Sequence, residues 1–180
     1  MNKKTQNDKI VVFLIDSSAI LSGKPLPVDQ ELCWTVEEIA SEFSEGGPSW
    51  RMFQYLREKG LSIRQPTEQA KKIIVETMKR LGENLRLSIA DQMVLALAVD
   101  VSNEKDKKPV LLSDDYSIQN IASVLDISVQ SISQKGITKT FKWIRRCRGC
   151  GRILSPEESV CKICGSTAKF VVDKSMKKKK

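Results

Sequence analysis

Ile10-Val-Val-Phe-Leu-Ile-Asp16 is an unbroken run of six apolar residues closed by an acid. A strand exposed on one face alternates polar and apolar residues, whereas a continuous run of strand length belongs to a parallel sheet covered by helices on both faces. Asp16 then stands just past the carboxyl end of its strand, where open α/β sheets bind their ligands. The same order returns in Val110-Leu-Leu-Ser-Asp-Asp-Tyr116, a short apolar run followed by Ser113, Asp114 and Asp115. Helical patterns are expected near 36–45, 49–59, 67–81 and 88–101, and Ile118, Ile121, Ala122 and Leu125 carry the i, i+3, i+4, i+7 spacing of one more helix face. Further strands are expected at 127–129 and, more weakly, at 61–64. Strands alternating with helices predict an α/β sandwich over roughly the first 130 residues, a length that can bury its own core.

The C-terminal part follows a different rule. Cys147-Arg-Gly-Cys150-Gly and Cys161-Lys-Ile-Cys164-Gly are two C-x-x-C knuckles, and two such turns can present four thiolates to one tetrahedral ion. That pattern predicts one structural zinc in a ribbon too small to hold together by apolar burial alone. Gly151 and Gly165 follow the second cysteine of each knuckle, where the turn needs a left-handed backbone. Four thiolates leave no open position on the metal, so this zinc would support a fold and perform no chemistry. The fifth cysteine, Cys33, is expected in the core.

Charge divides along the same line. The whole chain carries 30 Lys/Arg, 22 Asp/Glu and no histidine. Fourteen of the basic residues and only three of the acids lie in 135–180, giving +11 there and −3 in 1–134. A basic module beside an acidic domain suits a polyanion held by one part and worked on by the other. Lys139, Lys142, Trp143, Arg145 and Arg146, with Arg148 and Arg152 in the first knuckle, interleave cations with an aromatic ring, as phosphate contact and base stacking require. The absence of histidine removes histidine-based acid–base catalysis. No apolar run reaches membrane-spanning length, and the N-terminal stretch shows no signal-peptide pattern, so a cytoplasmic protein without a membrane partner is expected. The boundaries read as an α/β domain in 1–134, a basic linker in 135–146, the ribbon in 147–172 and a lysine-rich tail in 173–180.

Acids from four separate elements then stand out: Asp16, Glu42, Asp91 and the Asp114-Asp115 pair. Glu42 lies three residues after Ile39, and Asp91 shares the apolar face of Val94, Leu95 and Ala98. Unpaired carboxylates in such places are unfavourable unless cations compensate them. Each also has a structural reading. Thr35-Val-Glu-Glu38 and Ser88-Ile-Ala-Asp91 match the capping box, and Asp115 can cap the next helix. Capping would account for Glu38 and leave Glu42 for function.

The order Ile-Asp16-Ser-Ser, Trp-Thr35 with Glu42, Leu-Ser88-Ile-Ala-Asp91 and Leu-Ser113-Asp-Asp-Tyr-Ser-Ile-Gln-Asn120 resembles a PIN-domain nuclease. With the four-cysteine ribbon behind it, the chain is similar to the archaeal Nob (Nin-one-binding) endonucleases over about residues 10–170. The resemblance implies a PIN-like three-layer sandwich with a central parallel sheet, followed by a small zinc ribbon. It also implies a single-strand endoribonuclease that trims the 3′ end of precursor 16S rRNA on the small ribosomal subunit, among its assembly factors. Asp16, Glu42, Asp91 and Asp115 would bind one or two catalytic Mg²⁺ or Mn²⁺ ions, with Asp114 assisting. Ser17 and Ser113 would orient Asp16 or a phosphate. Hard divalent cations accept such scattered oxygen ligands, and they can neutralise a phosphodiester and activate water. A toxin-type PIN ribonuclease would share the acids but not usually the ribbon, and a non-catalytic RNA-binding scaffold would use the acids as caps.

Overall fold

A computed structural model describes residues 9–26, 29–82, 86–132 and 142–173. Five parallel strands form the main sheet in the order β3-β2-β1-β4-β5: β1 (Ile10–Ile15), β2 (Cys33–Thr35), β3 (Ser62–Ile63), β4 (Lys107–Leu112) and β5 (Ser128–Gln130). Adjacent residues Leu14 and Ile15, and likewise Leu111 and Leu112, are all fully buried although they point to opposite faces. Both faces of the sheet are therefore covered, as the unbroken apolar runs require. The covering helices are α1 (Ser17–Leu21), α2 (Pro48–Glu58), α3 (Glu68–Leu81), α4 (Ile89–Asn103) and α5 (Tyr116–Val124). Among the described residues, no helix is long and apolar enough to cross a membrane.

Position in the sheet decides where a ligand can sit. From β1 the chain builds outward through β2 and β3, then returns to place β4 on the other side of β1, with all six β1 residues in register from Ile10↔Lys107 to Ile15↔Leu112. The connections leave in opposite directions at the β1/β4 boundary, which opens a crevice at the carboxyl ends of these two strands. The helix α4 fixes the floor of that crevice. Six consecutive residues, Val94 to Val99, are buried, so the middle of α4 is surrounded by protein on all sides rather than lying on the surface.

Three elements differ from expectation. The segment 36–45 contains a six-residue 3-10 helix, Glu37–Glu42, whose first turn has no side-chain cap. Thr35 belongs to β2 and donates its hydroxyl to the Ile15 carbonyl at 2.8 Å, so the expected Thr35–Glu38 capping box does not form. The short α1 and β2 were also not foreseen; Cys33 lies in β2, fully buried as expected.

The C-terminal residues form a second, antiparallel sheet of β6 (Trp143–Cys147), β7 (Ile153–Leu154) and β8 (Ala168–Val172) in the order β7-β6-β8. The strand β6 takes in the last residues of the segment read as linker, whereas Lys139 and the rest of 133–141 lie outside the described residues, as does the tail from 174. The ribbon meets the main domain where α3 ends. Gly82 takes the left-handed conformation (φ 72°) and its N–H closes onto the Lys79 and Met78 carbonyls, while a Cβ placed there would come within 2.0 Å of the Trp143 carbonyl oxygen. Gly151 has nearly the same φ, 73°, and open space around it. Gly151→Ala should therefore lose about 1 kcal/mol of stability from backbone strain alone, and Gly82→Ala at least about twice that, in urea unfolding. Equal losses would show that the ribbon does not press on α3.

Candidate active site and metal centre

Asp16 is the innermost of the acids, 1% exposed. As the N-cap of α1 it receives the backbone N–H of Ser18 at 3.3 Å on Oδ2. The same oxygen accepts the Ser18 hydroxyl at 2.6 Å and the Ser113 hydroxyl at 2.8 Å. Oδ1 is buried and has no hydrogen-bond partner. Ser113 thus touches Asp16, and the hydroxyl from the α1 side is that of Ser18. At an N-cap it is the second and third helical residues that turn back to the cap, so Ser17, the first helical residue, contributes its backbone and a buried side chain instead. Burial pushes the Asp16 carboxyl above the usual carboxylate range, against the hydrogen bonds from Ser18 and Ser113 that favour its charged form.

The turn after β4 is laced onto this group. Asp114 N–H donates to Ser18 Oγ at 2.9 Å, and Asp115 N–H to Ser113 Oγ at 3.1 Å. Asp115 is exposed and caps α5 through Oδ1, which accepts from Ser117 N–H at 2.6 Å and Ile118 N–H at 3.2 Å. Asp114 Oδ1 accepts the Ile132 N–H at 2.9 Å, anchoring the chain beyond β5.

The other side of the crevice is built from α4 and the 3-10 helix. The Ser88–Asp91 capping box is present: Asp91 N–H donates to Ser88 Oγ at 3.1 Å, and Ser88 N–H to Asp91 Oδ2 at 2.8 Å. Ser88 also donates its hydroxyl to Glu42 Oε1 at 2.6 Å, so it joins Glu42 to Asp91, a role that reading it only as a cap did not anticipate. At three residues per turn Glu42 lies in line with fully buried Ile39 and Glu38 is rotated a third of a turn away, yet at the end of the winding Glu42 is exposed and Glu38 is half-buried. Glu38 has one carboxylate oxygen buried without a partner; nothing in the structure explains it.

Asp91 is pushed up to about 7, first by burial, then by the Asp16 charge, with Glu42 adding to the rise and the Ser88 hydrogen bonds opposing it. Carboxylates, not cations, are thus the charges that act on it. The donor set fits a hard divalent cation: an orphaned buried oxygen on Asp16, and neighbouring acids that resist ionising together. The carboxylates are not packed into one tight cage, since among the described residues only the cysteine group brings three or more ligand atoms within 4.8 Å of one another. A wider set suits an ion that retains water ligands.

The four cysteines, by contrast, converge closely. Cys147 and Cys164 sulfurs are 3.3 Å apart and those of Cys150 and Cys161 3.7 Å, too far for a disulfide and close to the edge of about 3.8 Å in a zinc–sulfur tetrahedron. None of the four forms a disulfide. Backbone and side-chain hydrogen bonds from Ser166 draw the Cys164 thiol down to about 6, towards the thiolate a metal needs. Gly151 and Gly165 have the left-handed backbone expected, φ 73° and 69°. The ribbon's buried core is only Cys147, Leu154 and Cys161, too little to fold without a staple. In contrast, burial lifts the Cys33 thiol to about 12, away from the thiolate form.

Of the residues expected to contact RNA, Arg146, Arg148 and Arg152 are exposed, and Lys142, Trp143 and Arg145 half-buried. Arg145 Nη1 donates to the Glu158 carbonyl at 3.0 Å and its guanidinium lies 4.9 Å from the Phe170 ring centre. The Trp143 ring is covered by Arg86 at 4.3 Å, and Arg86 Nε donates to Ser117 Oγ at 3.3 Å.

A parallel sheet with acids at its central crevice places the chain among PIN-type folds, and the family pattern described as the PIN domain of ribonuclease matches residues 13–101. The chain is 34% identical to endoribonuclease Nob1 of Archaeoglobus fulgidus, covering 88% of this chain and 90% of that protein. It is also 34% identical to endoribonuclease Nob1 of Methanothermobacter thermautotrophicus, over 87% and 92% respectively, and 31% identical to ribonuclease VapC1 of Thermoplasma acidophilum, over 91% and 80%. It belongs to the Nob endoribonuclease family.

The folded Asp91 value lies above its ordinary 3.8, so between the two the folded state holds more protons than the unfolded one, and stability falls as pH rises from about 4 to about 7. In protein free of divalent ions other than zinc, Asp91→Asn should gain about 1–2 kcal/mol on wild type between pH 5 and pH 8, a figure already reduced for partial exposure. A stability difference independent of pH would mean that Asp91 ionises normally.

Proposed function

We propose that this protein is a metal-dependent single-strand endoribonuclease that cleaves precursor 16S rRNA at its 3′ end during maturation of the small ribosomal subunit. The family membership supports RNA cleavage, and the observation that carries the metal requirement is the buried, unpartnered Asp16 Oδ1. In this reading Asp16, Glu42, Asp91 and Asp115 hold one or two Mg²⁺ or Mn²⁺ ions, and Asp114 holds the turn that presents Asp115. A divalent ion there would neutralise the phosphodiester, lower the pKa of attacking water and stabilise the leaving oxygen. The protein's own contribution is placement. Ser18 and Ser113 hold Asp16 with Oδ1 turned away from them, Ser88 holds Glu42 against Asp91, and the α5 cap fixes Asp115.

The two units divide the work: 1–134 cleaves, and the linker 135–146, ribbon 147–172 and tail 173–180 contribute affinity. Arg146, Arg148 and Arg152 are exposed along the ribbon and would contact phosphates, together with Lys139, Lys142, Trp143 and Arg145. The partners on this reading are the precursor rRNA, the small subunit and its assembly factors.

The test is incubation with RNA spanning the mature 3′ end of 16S rRNA, with and without Mn²⁺. Wild type should cut at one position only with metal, and Asp16→Asn should lose on the order of a thousandfold or more in rate while keeping its fold and RNA affinity. Cleavage retained in Asp16→Asn would remove that residue from the mechanism.

A further inference from the structure

A cavity of about 810 Å³ opens between the C-terminal end of α3 and the ribbon. Lys79 and Arg80 reach it from α3, and Lys142 and Arg145 from the start of the ribbon, against a single acid, Glu157. Two cations in the last turn of a helix can be accounted for by the partial negative charge of its end. Four, drawn from two separate units and facing one carboxylate, leave a net excess of three positive charges that an anion would relieve. The walls also carry two aromatic rings, each with an arginine against one face: half-buried Trp143 under Arg86, which does not line the cavity, and Phe170, 37% exposed, beside Arg145, which does. Cations beside flat aromatic faces suit nucleotides whose bases are unpaired, because a duplex offers phosphates but hides its base faces. The volume is in the range of small-ligand sites and can take one or two nucleotides.

Its position connects it with the acidic crevice. Arg86 covers the Trp143 ring and bonds Ser117, two residues beyond Asp115 and in the first turn of α5. One wall of the cavity is thereby braced against the helix that carries one side of the crevice.

We propose that this cleft is a second RNA-binding site, outside the acidic crevice, in which one or two unpaired nucleotides pack against Trp143 and Phe170 with their phosphates on Lys79, Arg80 and Lys142. The inference rests on the RNA-cleavage reading above and adds α3 to the RNA-binding surface. Holding the strand at a second point would set how far from the cleft the cut falls.

The test is binding of labelled, unstructured oligouridine to the zinc-loaded full chain without added Mg²⁺ or Mn²⁺, across a salt series, for wild type and variants in parallel. Lys79→Ala with Arg80→Ala should weaken binding about tenfold and flatten the log–log salt slope by about 1.4, the value for two single-strand phosphate contacts. Phe170→Ala should weaken binding about tenfold with the slope unchanged. Lys72→Ala, also exposed on α3 but outside the cavity, should change neither. In wild type, RNA carrying 4-thiouridine should photo-crosslink to peptides containing Trp143 or Phe170, a readout that needs no variant to fold. The proposal is overturned if the Lys79/Arg80 pair behaves like Lys72, if crosslinks form only elsewhere, or if duplex RNA binds as tightly as single strands. Wild type that binds RNA with unaffected variants would remove the cleft alone; wild type that binds no RNA would remove the cleavage reading with it.

Discussion

Asp16 is a carboxylate set at the central crevice of a parallel sheet, almost wholly out of water, with hydroxyls on one oxygen and nothing on the other. Hydrogen bonds from Ser18 and Ser113 favour its charge, yet burial outweighs them. Around it the fold adds more negative charge: half-buried Asp91 on the first turn of α4, and exposed Glu42 tied to it through Ser88. A chain that needed only stability would have filled the Asp16 position with a neutral group, since a buried carboxylate with an unpartnered oxygen is among the most unfavourable features a core can hold. The arrangement makes sense as a site completed by a divalent cation.

Much of this was legible in the sequence because it rests on local chemistry. The apolar run Ile10–Ile15 is the strand expected, down to its ends, since a doubly covered strand must be apolar throughout. The Ser88–Asp91 capping box and the paired cysteine knuckles are short-range patterns, and both are present. Readings that depended on tertiary neighbours were harder to make. Thr35 looks like a helix cap until β2 pairs beside β1 and claims its hydroxyl for the Ile15 carbonyl. Ser17 and Ser18 cannot be told apart without knowing that Asp16 caps α1. The link between Glu42 and Asp91 through Ser88 spans 46 residues and has no signature along the chain. The contact between α3 and the ribbon is likewise invisible, except for a glycine at 82 that in isolation reads as an ordinary helix terminus.

That contact changes how the two units are understood. A ribbon whose own buried core is three residues depends on its metal and on what it rests against. Trp143 supplies both surfaces: its carbonyl lies against Gly82 and its ring against Arg86, which in turn holds the first turn of α5. The basic ribbon is therefore braced against the domain that carries the acids, with the positively lined cleft between them.

The central claim is that the acidic crevice binds a divalent ion, and calorimetric titration of Mn²⁺ into zinc-loaded protein tests it most directly. Performed near pH 6.5 in buffers of different ionisation enthalpy, it should show saturable binding with proton release, because Asp91 titrates at about 7 and must ionise to serve as a ligand. Both signals should vanish in Asp16→Asn. Absence of saturable binding in wild type, or its persistence in Asp16→Asn, would contradict the account.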